Sequence, residues 1–233
     1  QKLTLDDALE QLPFGKFHIR MLFLCGLAYM SDSIEVSLLS YLSLSVANEW
    51  NLSGTQLATI TSVVFSGSLF GASFVWGPIA DSYGRRVSFL IGSLMISIFS
   101  IASAFSPNYY CLLMTRFIVG VGVGCGFVPF DLLAEFLPPS HRGKYLMNIN
   151  YFWTSGSIIV NGLAWLLLEK YGWRLFTVTA TIPVIISVSL SIFYLPESPR
   201  WLLLQNKRKE AENVIYQAAK VNNTIINSFS LSS

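Results

Sequence analysis

The chain has 233 residues, of which 53% are hydrophobic and only 12% are charged, and its mean hydropathy is +0.55. A soluble domain carries roughly 25% charged residues because its surface must be hydrated, so this composition excludes a soluble enzyme and a disordered chain and predicts a membrane protein. The net charge of +2 is too small for a nucleic-acid binder.

Six stretches of the chain are long and apolar enough to cross a bilayer, which takes roughly 20 mostly apolar residues in a helix. Short segments rich in Gly, Pro, Asn and Ser separate them. The stretches are residues 21–46, 57–81, 87–105, 109–137, 145–168 and 175–195. The sequence therefore predicts an all-α membrane protein, with a bundle of six transmembrane helices over residues 21–196.

The basic residues are distributed unevenly about these spans. If the N-terminal segment 1–20 lies in the cytoplasm, twelve of the 15 Lys and Arg residues fall on cytoplasmic segments, Lys170 and Arg174 fall on outer loops, and Arg116 lies within a span. Basic residues prefer the cytoplasmic side, so we expect both termini to be cytoplasmic, in the plasma membrane or in a vesicle or organelle membrane.

The segment after the sixth span differs in composition from the bundle. Residues 197–221 combine apolar positions at helical spacing with Lys and Glu, which predicts a short amphipathic helix on the cytoplasmic face. Residues 222–233 are rich in Asn and Ser and are predicted to form a disordered tail.

Two carboxylates, Asp32 and Glu35, lie in the middle of the first span. An ionised carboxylate at the bilayer centre costs at least ~2.5–3.5 kcal/mol, and a spacing of three residues places both on one helix face. We therefore expect them to face the bundle interior, with Arg116 of the fourth span beside one of them. Close carboxylates do not both ionise readily, which predicts a proton acceptor. The alternatives are a structural ion pair and a countercharge for a substrate.

Further polar residues complete the candidate substrate and proton site. Asp131, lower on the fourth span, belongs either to a cavity or to a gate. The fifth span carries a polar stripe with an indole beside it, formed by Asn150, Trp153, Ser157 and Asn161. Hydrogen bonding between helices is the alternative role for this stripe. The four glycines within residues 120–126 are interpreted as close helix packing.

The segment between the second and third spans resembles the signature loop of the major facilitator superfamily. It has Gly77, then three residues, Asp81, two residues, Gly84 and the basic pair Arg85-Arg86. Glycine at this turn permits a positive φ, and the basic pair favours the cytoplasmic side.

Two further motifs are similar to those of the sugar-porter side of that superfamily, which includes organic-ion and synaptic-vesicle-type transporters. Glu135 is followed after six residues by Arg142, and the sixth span ends in Pro-Glu-Ser-Pro-Arg over residues 196–200. The resemblance covers about residues 15–220. It implies the N-terminal half of a major facilitator fold. It also implies a cytoplasmic charge network that gates the inner side, formed by Asp81, Arg85, Arg86, Glu135, Arg142, Glu197 and Arg200.

The predicted function is secondary-active transport of a small organic solute, either an organic ion or a sugar-like molecule. We expect proton symport through Asp32 and Glu35, and alternating access together with a C-terminal six-helix half from the same or a partner chain. The alternative is a transporter-derived structural subunit of a larger membrane complex. Apart from that half, the expected partners are the lipid bilayer and the solute. No enzyme activity, cofactor, metal site or nucleic-acid partner is predicted.

Overall fold

The computed structural model describes residues 2–140, 142–224 and 230–231, which form a bundle of long apolar helices with short helices packed against one end. A π-helical turn, Gly71–Trp76, joins α3 to α4, and the two-residue strands β1 (Lys2–Leu3) and β2 (Ser230–Leu231) pair in parallel. The helices are α1 (Leu5–Glu10), α2 (Lys16–Trp50), α3 (Gly54–Phe70), α4 (Gly77–Tyr83), α5 (Arg85–Ala104), α6 (Tyr109–Val123), α7 (Phe127–Phe136), α8 (Arg142–Met147), α9 (Asn150–Tyr194), α10 (Pro199–Leu204) and α11 (Arg208–Val221).

Five helical segments of the described chain are long and apolar enough to cross a membrane. The last of them, Arg142–Tyr194, has 53 residues, more than twice the roughly 20 that one crossing needs. At Gly172 its backbone leaves the helical region, with φ 77° and ψ 174°. Ile149 and Leu195, near its two ends, lie in the same apolar cluster, so the chain reverses at Gly172 and crosses twice. The prediction of six spans and of an all-α membrane fold is confirmed.

The two ends of the bundle differ in charge. One end, the basic end, is where Arg85, Arg142 and Arg200 converge on a common pocket. The opposite end, the far end, is where Glu49 of α2 binds Arg174 of α9, with 2.7 Å between Oε1 and Nη1.

The short helices α1 and α11 cover the basic end with their apolar sides. Leu9 and Ile215 are buried in the same cluster as Phe17 at the start of α2. Asn222, which follows α11, accepts a hydrogen bond from the Phe17 amide at 2.8 Å and donates one to the Pro13 carbonyl at 2.9 Å. The segment after the sixth span is therefore attached to the beginning of the first.

Several boundaries differ from the prediction. Helix α2 begins at Lys16, five residues before the predicted span, with Gly15 in extended conformation as its N-cap. The predicted linker helix over residues 197–221 is two helices, α10 and α11. Residues 225–229 and 232–233 of the predicted tail lie outside the described residues.

Glycines let α3 and α6 approach backbone to backbone. A Cβ placed on Gly120 would meet the Val64 carbonyl oxygen, and one placed on Gly67 would meet the Phe117 carbonyl oxygen. Small residues permit this contact because they leave the backbones free to approach. Such contacts are favourable because helices associate in lipid through close packing rather than hydrophobic burial. The arrangement agrees with the packing role expected for the glycines of the fourth span.

We expect Gly120→Ala to lower the free energy of unfolding by about 1–3 kcal/mol, because the methyl group forces the two backbones apart. Gly162→Ala is the matched control, since no atom lies within 4 Å of the position that its new methyl group would take and alanine favours the helix by roughly 0.5–1 kcal/mol. Unfolding in mixed micelles, followed by circular dichroism, measures both. Equal stability of the two variants would contradict the packing interpretation.

Candidate functional site

Glu35 and Arg116 form an ion pair inside the bundle. Arg116 Nη1 lies 3.0 Å from Glu35 Oε2, and the two residues are 1% and 3% exposed, Arg116 being the more buried. The Ser100 hydroxyl donates to the other carboxylate oxygen at 2.7 Å. Arg116 Nη2 donates to Ser103 Oγ at 2.5 Å. Both oxygens of the Glu35 carboxylate are therefore satisfied away from water.

This ion pair is held by four helices. Glu35 comes from α2, Arg116 from α6 and the two serines from α5, while Thr181 of α9 donates to Ser100 Oγ at 3.1 Å. All five side chains are buried. The sequence predicts a pairing of Arg116 with one of the two carboxylates but not the roles of Ser100, Ser103 and Thr181. Hydroxyls in apolar spans give little signal, because most of them bond to their own helix.

Asp32 lies in a different environment from Glu35. It is 7% exposed, and its carboxylate makes no hydrogen bond or ion pair with any residue that the structure describes. It belongs to a stripe of α2 that also carries Tyr29, Val36 and Ser40, whose side chains are half-buried or exposed. The expectation that both carboxylates share one environment therefore differs from the structure: Glu35 faces the interior, and Asp32 borders an open side.

The fourth span is interrupted where it meets Asp32. Helix α6 ends at Val123 and α7 begins at Phe127, and between them the Gly126 amide bonds to the Val123 carbonyl, three residues back, at 3.0 Å. A Cβ on Gly126 would lie 2.6 Å from Asp32 Oδ2, so any larger residue here would force the carboxylate to move.

An irregular turn in the second span supports this interruption. The Trp76 indole donates to the Val121 carbonyl at 2.5 Å, an oxygen that is left free because Cys125 bonds to Gly122 instead. Trp76 ends the π-helical turn, and such turns occur frequently at functional sites. No pattern in the sequence indicates this pairing, since it depends on the register between two helices.

The polar stripe of α9 lies beside the Asp32 stripe. The Trp153 and Tyr29 rings adjoin, with centroids 4.9 Å apart and planes at 49°. Ser157 Oγ lies 2.9 Å from Ser33 Oγ, and Asn161 accepts from the Tyr41 hydroxyl at 2.9 Å. We call the surface formed by the two stripes the open face.

Asn150 completes the stripe at the basic end of α9. Its amide donates to the Met147 carbonyl at 3.1 Å. Ser157 and Asn161 thus bond to α2, whereas Asn150 bonds to a carbonyl three residues back in the chain.

The predicted gate residues meet at the basic end around a pocket of about 340 Å³. Arg85 Nη1 lies 3.3 Å from Asp81 and Arg85 Nε lies 3.7 Å from Glu135. The side chains of Asp131, Arg142 and Arg200 line the same pocket. Asp131 is exposed and belongs to this group, not to the open face near Asp32.

Glu197 binds the turn between the second and third spans. Its Oε1 accepts from the Arg86 backbone amide at 3.1 Å, and a Cβ placed on Gly84, whose φ is 110°, would collide with its carboxylate. The Arg86 guanidinium donates to the Ile192 carbonyl at 2.6 Å, and Arg200 pairs with Asp6 at 2.9 Å. All seven predicted gate residues thus lie at the basic end. Their contacts connect α1, α4, α5, α7 and α10.

Comparison with known proteins agrees with this architecture. The family described as sugar (and other) transporter matches residues 21–229. Organic cation/carnitine transporter 7 of Arabidopsis thaliana is 39% identical over 96% of this chain, which spans 44% of that protein. The synaptic vesicle 2-related protein of Bos taurus is 36% identical over 93% of this chain and 39% of its own length.

Solved structures show the same fold. The partially occluded, inward-open xylose transporter XylE from E. coli superposes with a TM-score of 0.79 at 21% identity, over 89% of this chain and 56% of that one. The bundle, the loop motifs and the family match lead to one conclusion. The chain belongs to the sugar (and other) transporter family, on the sugar-porter branch of the major facilitator superfamily, and corresponds to the N-terminal half of that fold.

Proposed function

We propose that the chain is one half of a proton-coupled transporter of a small organic solute, with no enzymatic activity. The observation that carries this proposal is Asp32. It is a carboxylate in the middle of a span, 7% exposed, without a partner among the described residues and at the edge of the open face. Ionisable groups in such positions are typical of proton relays and substrate sites.

The two intramembrane carboxylates differ in what compensates their charge. Arg116 neutralises Glu35 at 3.0 Å, so Glu35 can remain ionised in the interior. Asp32 has no such cation, and an unpaired charge at the bilayer centre is unfavourable by ~2.5–3.5 kcal/mol or more. A proton removes that penalty. Asp32 is therefore the group that binds and releases a proton. The Glu35–Arg116 pair instead holds α2 against α6.

The open face supports pairing with a second six-helix half. Transporters of this kind hold substrate near the bilayer midplane between two repeats that rock against each other. The chain spans about two fifths of the relatives it matches, and the Arabidopsis thaliana relative is a transporter by its name. A C-terminal half, in the same polypeptide or in a partner chain, would close the open face and complete the path. The solute class is an organic ion or a sugar-like molecule.

The network at the basic end provides the inner gate. Ion pairs at helix ends can form in one state and separate in another. Here Arg85 bridges α5 and α7 through Glu135, at 3.7 Å. The pair contributes a small stabilisation because its side chains are 26% and 15% exposed, so it can break during the cycle.

Neutralising this bridge is expected to change exchange between states more than solute binding. In the complete transporter, Glu135→Gln should alter the maximal uptake rate about tenfold and leave the half-saturating solute concentration nearly unchanged. Uptake into proteoliposomes at varied solute concentration separates the two quantities. Asp7→Asn, in the exposed first turn of α1, is the control. An effect of Glu135→Gln confined to solute affinity would contradict the gate.

We propose that the basic end is cytoplasmic. The basic bias of the loops orients the bundle in this way, and Asn51, in an Asn-Leu-Ser glycosylation sequence, then lies outside with the far end. Membrane-impermeant thiol labelling of intact cells should modify Asn51→Cys and leave Lys207→Cys unmodified until the membrane is permeabilised. Labelling of Lys207→Cys in sealed cells would reverse the orientation.

Gradient-driven uptake tests the proposed function as a whole. Proteoliposomes that contain the complete transporter should accumulate solute when a pH gradient is imposed, and a protonophore should abolish that accumulation. Uptake that only equilibrates the solute and ignores both treatments would show a uniporter and overturn proton coupling.

A further inference from the structure

Three neighbouring side chains of the open face have polar atoms without a partner. Among the residues that the structure describes, the Tyr29 hydroxyl, the Trp153 indole nitrogen and the Asp32 carboxylate have no hydrogen-bond partner. Tyr29 and Trp153 are half-buried, with ring centroids 4.9 Å apart. Asp32 lies one turn along α2 from Tyr29, a spacing that places their Cβ atoms about 5–6 Å apart.

Several other polar side chains of the open face already use a polar atom within the bundle. Ser157 bonds to Ser33 at 2.9 Å, Asn161 accepts from Tyr41, and Asn150 donates to Met147. Recognition of a polyol needs several free donors and acceptors, because each hydroxyl buried without a partner is penalised. The set beside Tyr29 and Trp153 is instead one anion and two aromatic faces.

The charge near this group selects against anions. Within the described chain, the basic residue in the membrane interior is Arg116. Its two terminal nitrogens are already bound, one to Glu35 and the other to Ser103. No free cation of the described chain is therefore available beside Asp32 to hold an anionic solute. A cation, in contrast, would find the uncompensated Asp32 charge.

We infer that Tyr29, Trp153 and Asp32 form a binding site for a small organic cation. The inference rests on the proposed function and names its substrate class. A quaternary or protonated amine placed over the indole and phenol rings gains cation–π attraction, for which Trp is the best ring. The same cation supplies the charge partner that Asp32 lacks.

The site has a consequence for coupling. Asp32 attracts the cation only when it is ionised, so a proton and the organic cation exclude each other at this carboxylate. Mutual exclusion at one site couples the two ligands as an exchange, in which proton binding on one side releases the cation. The symport expected from the sequence would need both ligands to be held together.

Equilibrium binding of radiolabelled tetraethylammonium to the chain in nanodiscs tests the inference. We expect saturable binding at neutral pH that weakens on acidification. Asp32→Asn should raise the Kd on the order of a hundredfold and remove the pH dependence, and Trp153→Leu should raise it about tenfold. Trp165→Leu is the matched control, because Trp165 lies on the same helix and is 82% exposed. Circular dichroism and size-exclusion chromatography verify that each variant is folded.

Several outcomes would overturn the site. They are an Asp32→Asn variant that binds tetraethylammonium as the unchanged chain does, displacement of the cation by excess xylose or benzoate, and absence of binding by folded protein at every pH. Proton binding by Asp32 is read separately, from its carboxyl infrared band. If that band titrates while tetraethylammonium does not bind, the cation site fails and the proposed proton site remains. If neither is seen, the proposed function fails as well.

Discussion

Replacing Arg116 with leucine is expected to lower the free energy of unfolding of the chain by about 3–5 kcal/mol, because Glu35 would keep a buried charge without its partner. The pair is 1% and 3% exposed and its Nη1–Oε2 distance is 3.0 Å. Equilibrium unfolding in mixed micelles measures this quantity. Apart from its partner Glu35, no other charged residue of the described chain is expected to have so large an effect on stability when it is replaced.

Two further variants separate charge from packing. Replacing Glu35 and Arg116 together by methionine should restore most of the lost stability, since an apolar pair of similar volume often replaces a buried ion pair without loss. Arg174→Met removes the far-end pair with Glu49, whose side chains are 45% and 41% exposed, and should change stability by only about 0.2–1 kcal/mol. Equal losses in Arg116→Leu and Arg174→Met would show that burial of the inner pair is unimportant.

Asp32→Asn is expected to abolish proton-driven accumulation by the complete transporter while leaving its fold intact. Asparagine keeps the shape of the side chain but cannot exchange a proton, and Asp32 has no hydrogen-bond partner among the described residues to lose. Removal of the unpaired charge should leave stability unchanged or raise it. Uptake under an imposed pH gradient and thermal unfolding of the same preparation are the two measurements.

The control for this variant is Glu49→Gln, which neutralises a carboxylate of the same helix at the far end. It should retain accumulation, because Glu49 is 41% exposed and binds Arg174 outside the open face. Persistence of full pH-driven uptake in Asp32→Asn would exclude Asp32 as the coupling group.

The bundle could be predicted well from the sequence because hydropathy depends on the bilayer rather than on neighbouring helices. Twenty apolar residues span the hydrocarbon wherever they pack, so six crossings were predicted although residues 142–194 form one continuous segment with a reversal at Gly172. The loop motifs likewise predict that Asp81, Glu135 and Glu197 lie together at the basic end, since they lie at the ends of the second, fourth and sixth spans on the same side of the bundle.

The roles of the two carboxylates could not be predicted in the same way. A spacing of three residues places Asp32 and Glu35 about 60° apart around the helix, and the positions of α5 and α6 decide that one of them meets Arg116. The Ser100 hydroxyl that binds Glu35, and the Thr181 hydroxyl that binds Ser100, come from helices distant in sequence from α2. The pairing of Trp76 with Val121 depends on a π-helical turn that lies opposite the break between α6 and α7. No local sequence pattern encodes this arrangement.

Infrared difference spectroscopy of the chain in nanodiscs, between acidic and alkaline pH, tests the central claim most directly. The claim is that Asp32 carries the exchangeable proton and Glu35 remains ionised beside Arg116. We expect a carboxylic-acid C=O band of a group shielded from water that disappears at alkaline pH, is absent in Asp32→Asn and persists in Glu35→Gln. A band that persists in Asp32→Asn and is lost in Glu35→Gln would contradict it.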